Sequence, residues 1–507
     1  MTGAGGANGG SRTEAGRASG PGTSVRKEAR RLGRLAAPIV FANLAWMTIG
    51  TVDLAMLGRV SPDAVAAASL GNVWVHLTQM LGMGLVMGMD PEVTQGHGAR
   101  DRRLLGHALQ RGIVIGLLVA VPVVVLRAYT AEFLLAARDL AVWLGERGGL
   151  TDEARAALEL DRFAELAQPA ERYALAQSFA APFFLIFIAL RQYLQGRGIV
   201  RPALYVALLG NVVNAAANGV LIFGLDLGLF GAGIATGVTR TFMAALLAWI
   251  VVRLGLLRGG WVPWERAALR PGPLFRTIRC GLPIGLHFAF EVGAFGTTTL
   301  LAGLLGVTAT VAHTVSINVA SVTFMIPLGI ALAATTRIGN LVGERRYDDA
   351  QLSSRVALFL GAGVMAGLGA LLFLLREQLP LLYTDEAAIV ALAASVLPLA
   401  AAFQVFDGLQ VVGGGILRGM GSTTPPAVFN FIAWWLLALP LAAWWVVGRG
   451  DGDLVDVWVA LTVGLGVVAA LTVAWVRWRG PAHLGATVAA GAQRSFEASP
   501  PSSADGP

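Results

Sequence analysis

Charge is what this chain has least of. Only 14% of its 507 residues are Asp, Glu, Lys or Arg, where a soluble domain carries about 25%. A chain so poor in charge cannot cover a core of this size with a water-compatible surface. Lysine is almost absent: Lys27 stands alone against 37 arginines. A phosphate loop of the G-x-x-x-x-G-K-[ST] type needs a lysine after glycine, and Lys27 follows Arg26, so the chain by itself encodes no nucleotide-driven pump. Cys280 is the one cysteine, which excludes an intramolecular disulfide and a cysteine-based metal site. Neither H-E-x-x-H nor G-x-S-x-G occurs. Any energy source is therefore an ion gradient or a partner.

What fills the chain instead is apolar sequence, 55% of all residues. Long apolar runs recur, for example at 113–126, 203–224 and 459–476. A membrane-spanning helix needs about 20 mostly apolar residues, and the runs between polar or Gly/Pro breaks predict twelve spans. Their expected limits are 36–58, 64–89, 104–126, 174–195, 203–224, 230–254, 281–305, 308–335, 354–375, 388–416, 426–447 and 454–476. The fold class is thus an all-α polytopic membrane protein.

Arginine placement sets the expected orientation, because basic residues concentrate in cytoplasmic loops. Arg26, Lys27, Arg30, Arg31 and Arg34 precede the first span, and Arg100, Arg102 and Arg103 follow the second. Arg258, Arg266, Arg270, Arg276 and Arg279 lie between the sixth and seventh, and Arg345 and Arg346 follow the eighth. The alternate loops carry acids, among them Asp63, Asp226, Asp385 and Asp451. Both termini are expected in the cytoplasm and the chain in the cell (inner) membrane. Residues 1–34 and 479–507 read as disordered tails, and 258–280 as a cytoplasmic linker. Residues 138–172 hold eight acids against five arginines. They read as an outward insertion with a short surface helix.

The two halves echo each other. Pro38 and Pro283 open the first and seventh spans 245 residues apart, and Gly98 and Gly343 keep that offset. Gly198 and Gly421, like Pro202 and Pro425, are 223 apart. One duplication and one insertion of about the size of the outward segment explain every pair. Six spans per repeat is an even number, so both lobes (35–257 and 281–478) cross in the same sense. They are parallel repeats about an axis along the membrane normal, with a cleft between two six-helix bundles.

An ionisable side chain within a span costs roughly 2.5–3.5 kcal/mol at the centre, so it faces a cavity or pathway by default. Asp53, Glu291 and Asp407 qualify, in the first, seventh and tenth spans. Buried carboxylates suit proton capture, and oxygen ligands also suit a hard cation such as Na⁺. Asn211, Asn214 and Asn218 share a face of the fifth span; they either bond between helices or line a cavity with Asp53. His287 stands one turn before Glu291 and is placed to pair with it. For His313 and Arg191 local pairing is the expectation.

These residues sit in stretches that resemble the multidrug and toxic compound extrusion (MATE) family, particularly its NorM-like branch. The stretches are Thr51-Val52-Asp53-Leu54-Ala55-Met56-Leu57-Gly58 and Asp90-Pro91-Glu92-Val93-Thr94-Gln95-Gly96-His97-Gly98-Ala99. Arg191-Gln192-Tyr193-Leu194-Gln195-Gly196 and Leu282-Pro283-Ile284-Gly285 follow, the latter leading to Glu291. Phe324-Met325-Ile326-Pro327-Leu328-Gly329 and Phe406-Asp407-Gly408-Leu409-Gln410 complete the ordered set, which covers about residues 33–480. The resemblance implies twelve helices in two lobes and export of organic, often cationic, compounds in exchange for Na⁺ or H⁺, without a cofactor. It implies a substrate and cation cavity at Asp53, Asn214 and Asn218, and a Na⁺ or H⁺ site at Glu291 and Asp407. The chain departs from some relatives at Asn218, where they carry an acid, and at Phe403, where they carry a tyrosine. The expected partners are a small-molecule substrate and the lipid bilayer, with no nucleic acid, and the expected state is a monomer. Two other readings are a lipid-linked precursor flippase, which would need several cations in the cavity, and a membrane-embedded enzyme, which lacks a recognisable nucleophile or metal set.

Overall fold

The computed structural model describes residues 24–147 and 160–497. All regular structure among them is helical. Twelve spans appear in the expected order. The first six are Val25–Leu57, Pro62–Met87, Arg102–Arg127, Ala181–Gly196, Arg201–Gly224 and Gly228–Arg253. The second six are Pro271–Leu304, Val307–Gly343, Tyr347–Leu374, Ala387–Gly419, Thr424–Arg449 and Leu454–Arg479. All but Pro62–Met87 are long and apolar enough to cross a membrane by length and composition, the fourth only when counted with the helix that precedes it, as Arg162–Gly196. That second span carries Asn72, His76, Thr78 and Gln79, and it can do so because it packs inside the protein, with Thr78 and Gln79 buried. Elsewhere the outer surface is apolar: Trp249, Val252, Phe359 and Leu374 are exposed, as a lipid-facing surface requires.

Backbone geometry repeats between the lobes. Arg100 and Arg345, 245 residues apart, both take a left-handed conformation (φ 57° and 58°), and Gly198 and Gly421, 223 apart, do likewise (φ 76° and 84°). A non-glycine residue rarely adopts this conformation, so matched turns at matched offsets carry the duplication into three dimensions. The lobes differ after the second span. There the chain breaks at Gly88 and restarts as a short helix, Asp90–Gly98, whereas the eighth span runs unbroken through Pro327 to Gly343.

Several boundaries move. The helix of the first span begins at Val25, inside the expected tail, because Ser24 caps it and Glu28 is buried in an ion pair with Arg337 of the eighth span (2.6 Å). The seventh helix begins at Pro271, which shortens the linker. Pro481–Glu497 is a helix rather than a tail, and Gly485 packs on the Tyr347 ring. The insertion contains two helices, Thr130–Arg147 and Leu160–Ala176, and residues between them lie outside the described set. Ala131, Leu134, Ala167 and Ala170 join these helices in an apolar cluster that also takes Leu70 of the second span. The second of them runs into the fourth span through one 3-10 turn.

The lobes meet most closely at the end that carries both termini. A Cβ on Gly84 or Gly88 would collide with backbone of the seventh span, at Gly285 and at Thr277 and Gly281 respectively. A Cβ on Gly98 would meet the carbonyl of Asn340 in the eighth span. Gln95 Nε2 donates to the Gly419 carbonyl (3.0 Å) and Thr336 Oγ1 to the Gln195 carbonyl (3.1 Å), both across the lobe boundary. Small residues permit such approaches in membrane helices, and they shut this end.

Candidate functional site

Asp53 lies one turn from the end of the first span and is 3% exposed. Asn214 Nδ2 (2.9 Å) and Asn218 Nδ2 (2.6 Å) of the fifth span donate to its Oδ1. Thr236 Oγ1 of the sixth span donates to its Oδ2 (2.6 Å). Three donors from two neighbouring spans thus satisfy both oxygens of the buried carboxyl. The asparagine spacing found two of the donors; Thr236 gave no sequence signal, being one of three threonines in its helix. Asn211 does something else, donating to the carbonyls of Ala45 and Ala207.

Between the lobes lies a cavity of about 400 Å³. The C-terminal lobe contributes Glu291, Asp407, Phe288, Phe295, Phe324 and Phe403 to its wall, and the N-terminal lobe contributes Trp46, Phe184, Met80, Met83, His76 and Arg191. Asp53, Asn214 and Asn218 are not among its lining residues. The expectation for them was an N-terminal-lobe site, either lining a cavity or bonding between helices; the structure buries them among the first, fifth and sixth spans, where Asn214, Asn218 and Thr236 donate to Asp53. Glu291 and Asp407 do share the cavity. The repeat makes their placement informative: by the offsets of 245 and 223, Glu291 corresponds to Trp46 and Asp407 to Phe184. The pseudo-axis thus sets two acids on one wall against two aromatics on the other, whose rings are 5.4 Å apart.

His287 Nε2 stands 3.7 Å from Glu291 Oε2, as expected from their spacing, and Asn430 Nδ2 lies 2.9 Å from its Nδ1. A side pocket of about 30 Å³, large enough for about one water, lies beyond Glu291 and is lined by His287, Arg418 and Thr423. Arg191 Nη2 donates to Asn43 Oδ1 (2.7 Å), the local pairing expected. His313 departs from expectation: it packs against the Trp458 ring (5.8 Å), and neither ring nitrogen has a hydrogen-bond partner among the described residues. No cluster of three or more His, Cys, Asp or Glu side chains that could hold a metal occurs among them.

An acid near the cavity escaped the sequence reading. Asp90, quoted there only within a motif, is 4% exposed at the base of the cavity. Gln192, a cavity-lining residue, donates from Nε2 to both of its oxygens at 2.9 Å. The available signal was its position directly after an apolar run.

The comparisons fit this geometry. The family model MatE matches residues 38–138 and 283–444, starting at the equivalent proline of each lobe. The chain is 32% identical to the multidrug resistance protein NorM of Vibrio cholerae serotype O1, across 82% of this chain and 87% of that protein. It is 34% identical to the probable multidrug resistance protein NorM of Bradyrhizobium diazoefficiens, across 87% and 91%. Among solved structures it resembles the eukaryotic MATE transporter AtDTX14, with a TM-score of 0.80 at 21% identity over 91% of this chain and 98% of that one. Ordered helices, lobe repeat, family match and full-length relatives agree: the chain is a multi-pass membrane protein of the MATE family.

Proposed function

We propose that this protein is a multidrug efflux antiporter that exports small organic compounds, cationic or amphipathic, in exchange for Na⁺ or H⁺. Its relatives in two bacteria are named multidrug resistance proteins. The observation that carries the chemistry is the cavity: two acids, Glu291 and Asp407, in a chamber otherwise walled largely by aromatic and methionine side chains. Apolar and aromatic walls accept varied shapes, and methionines adapt to them. A carboxylate pair selects positive charge. Cation and substrate alternately occupy these acids, and each favours a different arrangement of the lobes. Among the described residues Arg191 is the one arginine lining the cavity, set against two acids; this disfavours a pyrophosphate-bearing lipid. The protein works as a monomer in the inner membrane, with both termini in the cytoplasm, so that the closed end is the cytoplasmic one.

The test is transport by the purified protein in liposomes under Na⁺ and H⁺ gradients imposed separately, with ethidium as the exported cation. Glu291→Gln and Asp407→Asn are each expected to abolish gradient-driven export while leaving expression intact. Unchanged export in both variants would remove these residues from the mechanism.

A further inference from the structure

Asp90 is a buried acid that the cavity chemistry does not use. It opens the short helix Asp90–Gly98, wedged between the lobes beneath the cavity floor. Among the described residues its only side-chain hydrogen-bond donor is the neutral amide of Gln192, whose Nε2 straddles both carboxylate oxygens. The charged groups that face it are Arg191 of the fourth span and Arg418 of the tenth, with Cys280 of the seventh close by. None of these makes a salt bridge with it. On its own helix, Glu92 is engaged by Arg111 of the third span and by Thr277 Oγ1 of the seventh (3.3 Å). Below Asp90, the Gln95 to Gly419 bond and the contact of Gly339 on Thr94 close the way to the terminus-bearing end.

The repeat shows that the fold does not need an acid here. At the offset of 245, Asp90 corresponds to Thr335, and at 223 Gln192 corresponds to Gly415. In the second lobe those two positions are also joined, without charge and with the donor reversed: Thr335 Oγ1 donates to the Gly415 backbone carbonyl at 2.8 Å. A neutral hydroxyl serves where packing alone is at stake. A carboxylate buried at the equivalent place in the first lobe is therefore an addition, one side chain away from the cavity and on the seam that must open.

We propose that Asp90 is a proton-binding carboxylate of the transport cycle, loaded from the cavity while the terminus-bearing end is shut and emptied when the lobes part there. The proposal rests on the antiport reading and assigns it a proton as a coupled ion. Desolvation favours the neutral acid in the closed arrangement; burial pushes Asp90 up to about 7 against the pull of Arg418, Gln192 and Arg191. When the lobes separate, water reaches the carboxylate, it ionises, and the proton leaves on that side. Proton binding and lobe closure are then linked reciprocally.

The experiment uses the full chain in liposomes with ethidium and a pH dye, across a pH series, alongside infrared titration of carboxyl groups in the same protein. Asp90→Asn keeps the shape and the neutral charge of the loaded acid. It is expected to bind ethidium within about twofold of the wild type, to lose most pH-driven export, and to lose one carboxylic-acid band that titrates near neutral pH. Asp90→Glu should restore pH dependence. Gln192→Leu keeps the acid and removes its donor, so the midpoint of that band should move to higher pH. A wild-type pH profile and an unchanged infrared titration in Asp90→Asn would overturn the proposal. Wild-type protein that exports ethidium under no gradient would instead overturn the antiport reading beneath it.

Discussion

Replacing Glu28 with glutamine should loosen the closed end of the transporter. Glu28 is 1% exposed on the first span and accepts from Arg337 of the eighth through two nitrogens, Nε at 2.6 Å and Nη2 at 3.1 Å. The bond crosses between lobes. Arg31 stands 3.6 Å from the same carboxylate, but it is half exposed and contributes little. Removing one partner of a buried ion pair costs about 3–5 kcal/mol, mostly from the charge left behind. Arg337 retains 15% exposure, so the lower end applies, about 3 kcal/mol. The loss falls on the closed arrangement alone, since parting the lobes separates the pair in any case. At 1.4 kcal/mol per factor of ten, the equilibrium moves about 100-fold toward opening. Cys280, the sole thiol, reports it directly. It adjoins Gly281, which lies against Gly88 of the second span, and it is held by Thr423. Cys280 is part-exposed already, so its labelling by a maleimide should accelerate in Glu28→Gln by up to about 100-fold, and the exchanged pair Glu28→Arg with Arg337→Glu should restore slow labelling. A folded variant whose labelling stays within about twofold of the wild type would refute the latch.

Thr236→Val removes one hydrogen-bond donor from Asp53 while keeping shape; a loss of about 1–3 kcal/mol is expected from the buried acceptor left unpaired, read as a lowered midpoint of thermal unfolding in detergent. The linker after the sixth span docks through Glu265, which accepts from Arg103 Nη2 at 3.0 Å and lies 3.3 Å from His107. The Arg103 hydrogen bond holds the Glu265 carboxyl below its ordinary value of 4.5. An acid so lowered adds stability that is present above the ordinary value and lost as pH falls through the folded one. Protease cleavage within 254–270 should therefore quicken as pH falls through the lowered Glu265 value, beneath its ordinary 4.5, and in high salt, and Glu265→Gln should be cleaved at the fast rate throughout; cleavage indifferent to pH would exclude the contact.

Sequence alone determined the membrane class, the twelve spans, the duplication and its offsets, and the family, because each is written in local signals. Apolar run length, arginine alternation and repeated Gly and Pro positions survive without knowing who touches whom. It also singled out Glu291 and Asp407, since a carboxylate flanked by apolar sequence has few reasons to be there. The tertiary structure decided which acids share a chamber. Asp53, Asn214 and Asn218 looked like cavity residues, yet three donors from neighbouring spans close on that carboxylate and take it out of the wall. Thr236 and Gln192 were invisible because a hydroxyl or an amide in a helix has no spacing that marks its partner. The Glu28–Arg337 bond joins residues 309 apart, a pairing that no periodicity encodes and that depends on how the two lobes are seated. Asp90 became informative only beside Thr335. The offset was legible in the chain, but the two contacts it relates, one charged and one neutral, exist only once the spans are packed.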